Sequence, residues 1–281
     1  MAIYKLSRVI AFPFGLILIW FLYKAYQDSS YEDITWTFIP ILVLVLIYLF
    51  QPQIDYWWLS KFPIQIDKKL LDIIEAINPI IKNLDEEEKK RFEKRLFLHV
   101  EAKAFISKGS EDGNVPYDIK HLLSQIPVTM TFHQEDFLLK GFDRIVLYKH
   151  PFPTPRFDFL HTYETHAEDG VIIMSFEQIE KGLFASHENY NVAWHAYSEA
   201  FVKSNPGQDY PEVDDTTWIR FEKICGFSKD QILATLGFEN IDPLPLLIVG
   251  YFNYKEKFEK EFSREYLKLK TIFNNPTAGQ E

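Results

Sequence analysis

The sequence is poor in cysteine and short of positive charge, and it holds no internal repeat or low-complexity run. A single cysteine, Cys225, excludes a disulfide within the chain and fits a reducing compartment. Its ordinary reading is a small buried apolar residue rather than a reactive thiol. Against 40 Asp and Glu stand 30 Lys and Arg, a net charge of -10, which argues against a nucleic-acid partner. What the chain has in quantity is apolar: 47% hydrophobic residues, with 25 Phe, 15 Tyr and 6 Trp, and a disproportionate share falls in the first fifty positions.

Two stretches there carry no charge, Val9 to Tyr23 and Ile34 to Phe50. A spanning helix needs about 20 apolar residues, so the second reaches the low end and the first does so with its flanks. Trp20, Tyr23, Trp36, Tyr48, Trp57 and Trp58 fall near the ends, where amphipathic rings favour the headgroup region. The expectation is a two-helix transmembrane hairpin over residues 1–55, followed by a soluble domain over 56–281. Lys5 and Arg8 before it, and Lys61, Lys68 and Lys69 after it, outnumber Lys24 in the connecting loop. That bias places both ends and the domain in the cytoplasm. A cleaved signal peptide and two buried core helices are the competing readings. The first lacks a clear small-residue cleavage site and is followed at once by a second apolar stretch.

The remainder reads as a mainly helical α+β domain with a small sheet. Helices are expected over 64–81, 85–107, 116–132, 189–203, 218–224 and 245–273, with Pro127 ending the third and a break near Asn253 in the last. Two strands stand out, Arg144 to Tyr148 and Gly170 to Phe176. On one predicted helix His195 and Glu199 lie four apart and share a face. Such a pair either meets a metal ion or forms an ordinary hydrogen-bonded pair, and residue types leave both open. His161, Glu164, His166 and Glu168 read as one polar loop, and His187 lies near the start of that helix.

Gly170 to Phe201 (GVIIMSFEQIEKGLFASHENYNVAWHAYSEAF) resembles the core of the MtfA family of zinc metallopeptidases. Gly170, Ile172, Ser175 and Phe176 fit that family's strand, and Asn191, Val192 and His195 fit the start of its active-site helix. Phe97, Leu98, Lys103 and Phe105, Arg144 to Phe152, Asp242-Pro243, and Glu259 to Pro276 extend the likeness over about Leu84 to Pro276. The resemblance implies a zincin-like domain in which H-E-x-x-H supplies two zinc ligands and a general base.

This chain departs from that pattern where chemistry would occur. His195 keeps the first ligand, Ala196 replaces the catalytic glutamate, and Glu199 replaces the second histidine. Pro245 and Phe252 stand where the family's later glutamates fall, and neither can bind a metal. The resemblance therefore implies an inactive, membrane-tethered relative with no cofactor and no catalytic residue, acting as a binding or regulatory module for a protein or peptide. Strand-edge recognition would serve such a role without a metal. The alternative is a divergent zinc peptidase whose rebuilt site uses His195, Glu199 and His166. A filled cleft, with Trp194, Tyr197 and Phe252 as fillers, would leave a scaffold. The family also suggests a bacterial inner membrane.

Overall fold

The computed structural model describes residues 5–28, 31–109 and 113–274, and these fall into two compact units that meet between Gln65 and Ile66. The tip of the loop between the expected spans, and Pro276 at the end of the resemblance, lie outside the described residues. The sequence places the boundary at Asp55/Tyr56. It falls later because the helix that carries Asp55 packs with the first unit.

In the first unit, α1 (Leu6–Asp28) runs unbroken through Pro13. Its 22 residues from Leu6 to Gln27 rise about 33 Å at 1.5 Å each, enough for a hydrocarbon core of about 30 Å. Among the described residues it is the one helix that can cross a membrane by itself. The second expected span is not a single straight helix. The chain forms α2 (Tyr31–Trp36), α3 (Phe38–Leu49) and α4 (Gln51–Lys61), and bends by 64° between Ile34–Leu49 and Gln51–Lys61. Pro52 sits in the first turn of α4 and has no N–H to offer the carbonyl of Tyr48, so one helix cannot run straight through. The bent pair is long and apolar enough only when taken as one span. Asp55 on α4 accepts the Ser7 N–H at 2.8 Å and the Ser7 hydroxyl at 2.9 Å. The carboxylate thus sits at the N-terminus of α1, where the helix dipole favours negative charge.

The second unit begins with α5 (Lys68–Ile77), stopped by Asn78-Pro79, then α6 (Pro79–Lys82) and α7 (Glu86–Ala102). Asp85 and Glu88 close a capping box on α7, as the acidic start of that segment leads one to expect. The helix ends sooner than the pattern suggests, because residues 104–108 join the sheet as β1 (Ala104–Lys108). The following helix, α8 (Tyr117–Met130), passes through Pro127 and buries Ile126, Val128 and Met130. β2 (Arg144–Tyr148), β3 (Tyr163–His166) and β4 (Val171–Ser175) complete a four-stranded sheet of order β1-β2-β4-β3. β1, β2 and β4 run parallel, and β3 runs antiparallel at the edge, with Tyr163 opposite Met174 and Thr165 opposite Ile172. The remaining helices are α9 (Phe176–Phe184), α10 (Val192–Ser204), α11 (Thr216–Cys225), α12 (Lys229–Leu236), α13 (Leu244–Asn253), α14 (Lys255–Glu261) and α15 (Ser263–Asn274). The domain is a mainly helical α+β fold, and α10 lies at its centre, against β3, β4, α8, α9 and α13.

Candidate functional site

β4, the short helix α9 and the His195-bearing helix α10 follow one another along the chain. Asn191 caps α10 by accepting the Trp194 N–H at 3.1 Å, and its amide donates to the Gly182 carbonyl at 3.0 Å. A Cβ on Gly182 would stand 2.8 Å from the Asn191 Cα, so glycine is what lets α9 approach this turn. The turn fixes Tyr190 beside His195.

His195 is fully buried, and both of its ring nitrogens have a phenol partner. Nδ1 lies 2.8 Å from the Tyr190 hydroxyl, and Nε2 lies 3.1 Å from the Tyr163 hydroxyl. Tyr163 donates its one hydroxyl proton to Glu199 Oε2 at 2.7 Å. Counting donors then fixes the tautomer: Nε2–H donates to the Tyr163 oxygen, and Nδ1 accepts from Tyr190. The other oxygen of Glu199 accepts from the Thr165 hydroxyl and from Lys203 Nζ, each at 2.5 Å. Lys203 also donates to the Thr165 carbonyl at 2.9 Å and hydroxyl at 2.7 Å. One directional chain therefore runs from Tyr190 through His195 and Tyr163 to Glu199, which Lys203 neutralises.

Protonation states follow from this environment. Burial pushes His195 down to about 4, against the opposing pull of the Glu199 charge, so the ring is neutral at ordinary pH. Burial, followed by the Glu199 charge, holds the Tyr163 phenol far above its usual range, which keeps its proton available to donate. Burial alone would raise Glu199, but the Lys203 and Thr165 hydrogen bonds and the Lys203 charge outweigh it and leave the carboxyl below its usual value.

His166 does not join this group. Side chains alternate along a strand, so Tyr163 and Thr165 face α10 while Glu164 and His166 face the other way. There Glu164 accepts from His161 Nε2 at 2.5 Å and is bonded to His166 Nε2 at 2.6 Å. Burial would raise Glu164, but hydrogen bonds from Thr154, His161 and His166 outweigh it and hold the carboxyl below its ordinary value. The Nδ1 of His161 lies 2.9 Å from the Phe159 carbonyl. Gly237 packs directly on this segment, where a Cβ would stand 2.6 Å from the His161 Cα. Glu168 and His187 are exposed. Expected as one polar loop, these residues divide between a strand and its flanks.

The residues do not fit a zinc ion. A ligating histidine offers a ring lone pair, yet Nε2 of His195 carries a proton toward Tyr163 and the Nδ1 lone pair is taken by Tyr190. Glu199 is saturated by Tyr163, Thr165 and Lys203. Pro245 is buried, and Phe252 stacks on Trp194 at 5.2 Å and meets Phe273 at 4.8 Å. Tyr197 is also buried, and its hydroxyl has no hydrogen-bond partner among the described residues. Ala196 is fully buried, so no acid or base stands at that position. Cys225 accepts the Phe227 N–H at 3.4 Å, and burial raises its thiol, which disfavours the reactive thiolate.

Tyr163, Thr165, Tyr190 and Lys203 were not legible as site residues. Lys203 carried one usable signal, its position four residues after Glu199 on the same helix face. No model of a protein family matches the chain, and no curated protein matches it.

Proposed function

We propose that this protein is a membrane-anchored, catalytically inactive relative of the MtfA-type zinc peptidases, retained as a binding or regulatory module for a protein or peptide partner. The observation that carries this reading is the closed chain from Tyr190 to Lys203. It joins the two positions that correspond to metal ligands, His195 and Glu199, through side chains that stand where metal coordination would be needed. A lysine ammonium supplies positive charge to Glu199 without a metal. The order β4, α9, α10 supports the family resemblance, and α1 supports the anchor. The Ser7–Asp55 contact supports a hairpin with its two outer ends on one side, and the flanking cations favour the cytoplasmic side.

The β3 edge is a poor docking strand for an extended peptide. The Thr162 N–H is already bonded to the Leu236 carbonyl at 3.0 Å, and the Thr165 carbonyl is covered by Lys203. The partner is therefore read as docking elsewhere on the second unit.

Metal analysis of the full chain, purified in detergent, tests the central claim. The expected result is no stoichiometric zinc and no peptide hydrolysis. One zinc per chain, lost on His195→Ala, would overturn it and favour the divergent peptidase. Orientation has a separate test. Protease added outside intact cells should leave the second unit uncut, and its digestion would reverse the assignment.

A further inference from the structure

An apolar pocket of about 230 Å³ opens in the second unit between α7, α8, α13 and α15. Its walls include Phe92, Met130, Phe132, Phe252 and Phe273. A dry cavity of about 150 Å³ already accommodates a benzene ring, so this one has room for a single-ring body and a short polar tail. Its lining also includes the polar groups of His133, Lys255, Lys270, Thr129 and Asn274.

The charged side chains among those that line it are basic. Among the described residues that line the pocket there is no Asp or Glu, in a chain where acids outnumber bases by 40 to 30. Some lysines and arginines in this unit are paired, as Lys89 is with Glu75, Lys103 with Asp143, Lys203 with Glu199 and Arg220 with Glu265. Lys255 and Lys270 have no carboxylate partner among the described residues. Arg91 has none either, and its guanidinium lies over the Phe132 ring at 4.4 Å. Arg95 donates to the carbonyls of Thr131 and Phe132 beside it. Burial lowers His133, with Arg91 and Arg95 adding to the effect and Glu88 opposing it, so the imidazole is a neutral hydrogen-bonding group there. Glu259 is the carboxylate that acts on the nearby Tyr251 and Tyr266. Ligand pockets of this kind combine apolar walls with a few convergent polar groups that set orientation.

We propose that this pocket binds a small organic carboxylate, with an aromatic body among the phenylalanines and the carboxylate at Lys255 and Lys270. The assignment goes beyond the pseudopeptidase reading and does not rest on it, because every group it uses lies outside the His195 chain.

Calorimetric titration of the full chain in lipid nanodiscs, with phenylacetate and with the isosteric neutral phenylacetamide, tests it. Phenylacetate should bind saturably at one site, with the amide weaker by about tenfold or more. The Lys255→Gln/Lys270→Gln double variant changes only exposed side chains, and should weaken the acid by about tenfold while leaving the amide unchanged. Leu84→Trp, at a half-buried wall position, should remove binding of both. The proposal fails if phenylacetate does not saturate, if acid and amide bind alike, or if the double variant binds the acid as the native chain does.

Discussion

The two units solve opposite solvation problems with similar residues. In the first, apolar side chains point outward: Phe12, Leu16, Ile19, Phe38, Leu42 and Leu49 are all exposed. Its buried residues include Ser7, Thr37 and Ala25, small groups that let helices approach. In the second, Leu96, Leu123, Ile172, Leu246 and Phe258 are buried, and charged groups occupy the outside. Exposed apolar side chains at this density on one helix have no reason to persist in water. The difference teaches that hydrophobic content says little until its direction is known.

Predictions can break or sharpen that contrast. The largest effect belongs to the second core. Phe258 is fully buried against Gly250, and Phe258→Ala should cost about 3–5 kcal/mol in chemical denaturation of this unit. A loss below about 1 kcal/mol would mean that the core is not packed as described. Next comes a matched pair of exposed positions. Leu16→Arg in α1 should impair membrane insertion by about 2.5–3.5 kcal/mol, read as the membrane-integrated fraction. Ile219→Arg, exposed in α11, should change unfolding of the second unit by about 0.5 kcal/mol or less. Equal effects would erase the distinction between the units.

Titration gives the third. The folded pKa of His195, about 4, lies below its ordinary value of 6.5, so the unfolded chain binds this proton first as pH falls. Stability is therefore unaffected above pH 6.5 and declines as pH falls toward 4, by on the order of 3 kcal/mol in total. His99, buried and lowered to about 3, acts in the same direction. Denaturation across that range should lose part of its slope in His195→Gln, and an unchanged slope would show that His195 is accessible to protons in the fold. The smallest effect is in the first unit. Asp55→Ala removes the carboxylate from the N-terminus of α1 and should cost about 1 kcal/mol, read as a lower melting temperature of the first unit in detergent.

Legibility followed the same division. Helices with a wet face and a dry face announced themselves, as did the capping box at Asp85 and the strands Arg144–Tyr148 and Val171–Ser175. β1 was hidden because Phe105 continues the apolar stripe of α7, and only pairing with β2 turns it into strand. The long carboxy-terminal helix divides at Tyr254 and Phe262 into three pieces that wrap the core. The candidate site was half legible. His195 and Glu199 stood out by spacing, whereas Tyr163 and Thr165 lie on a strand whose sequence, Tyr-Glu-Thr-His, alternates no hydrophobicity. Their polar side chains are buried through contacts with α10, which periodicity does not encode. The bend at Pro52, just past the second apolar stretch, is likewise something that a count of uncharged residues overlooks.

The buried alanine at position 196 bears on what the domain could become. A glutamate placed there alone would bring a carboxylate into a fully enclosed position, beside a histidine whose lone pair is already taken. Replacing Tyr163 alone would strip Glu199 of a donor and His195 of an acceptor, and replacing Lys203 alone would leave Glu199 without its counter-charge. Each single step toward a metal centre thus passes through a less stable protein. The hydrogen-bonded chain acts as a ratchet: once assembled, it makes any path to a metal centre a matter of several simultaneous changes.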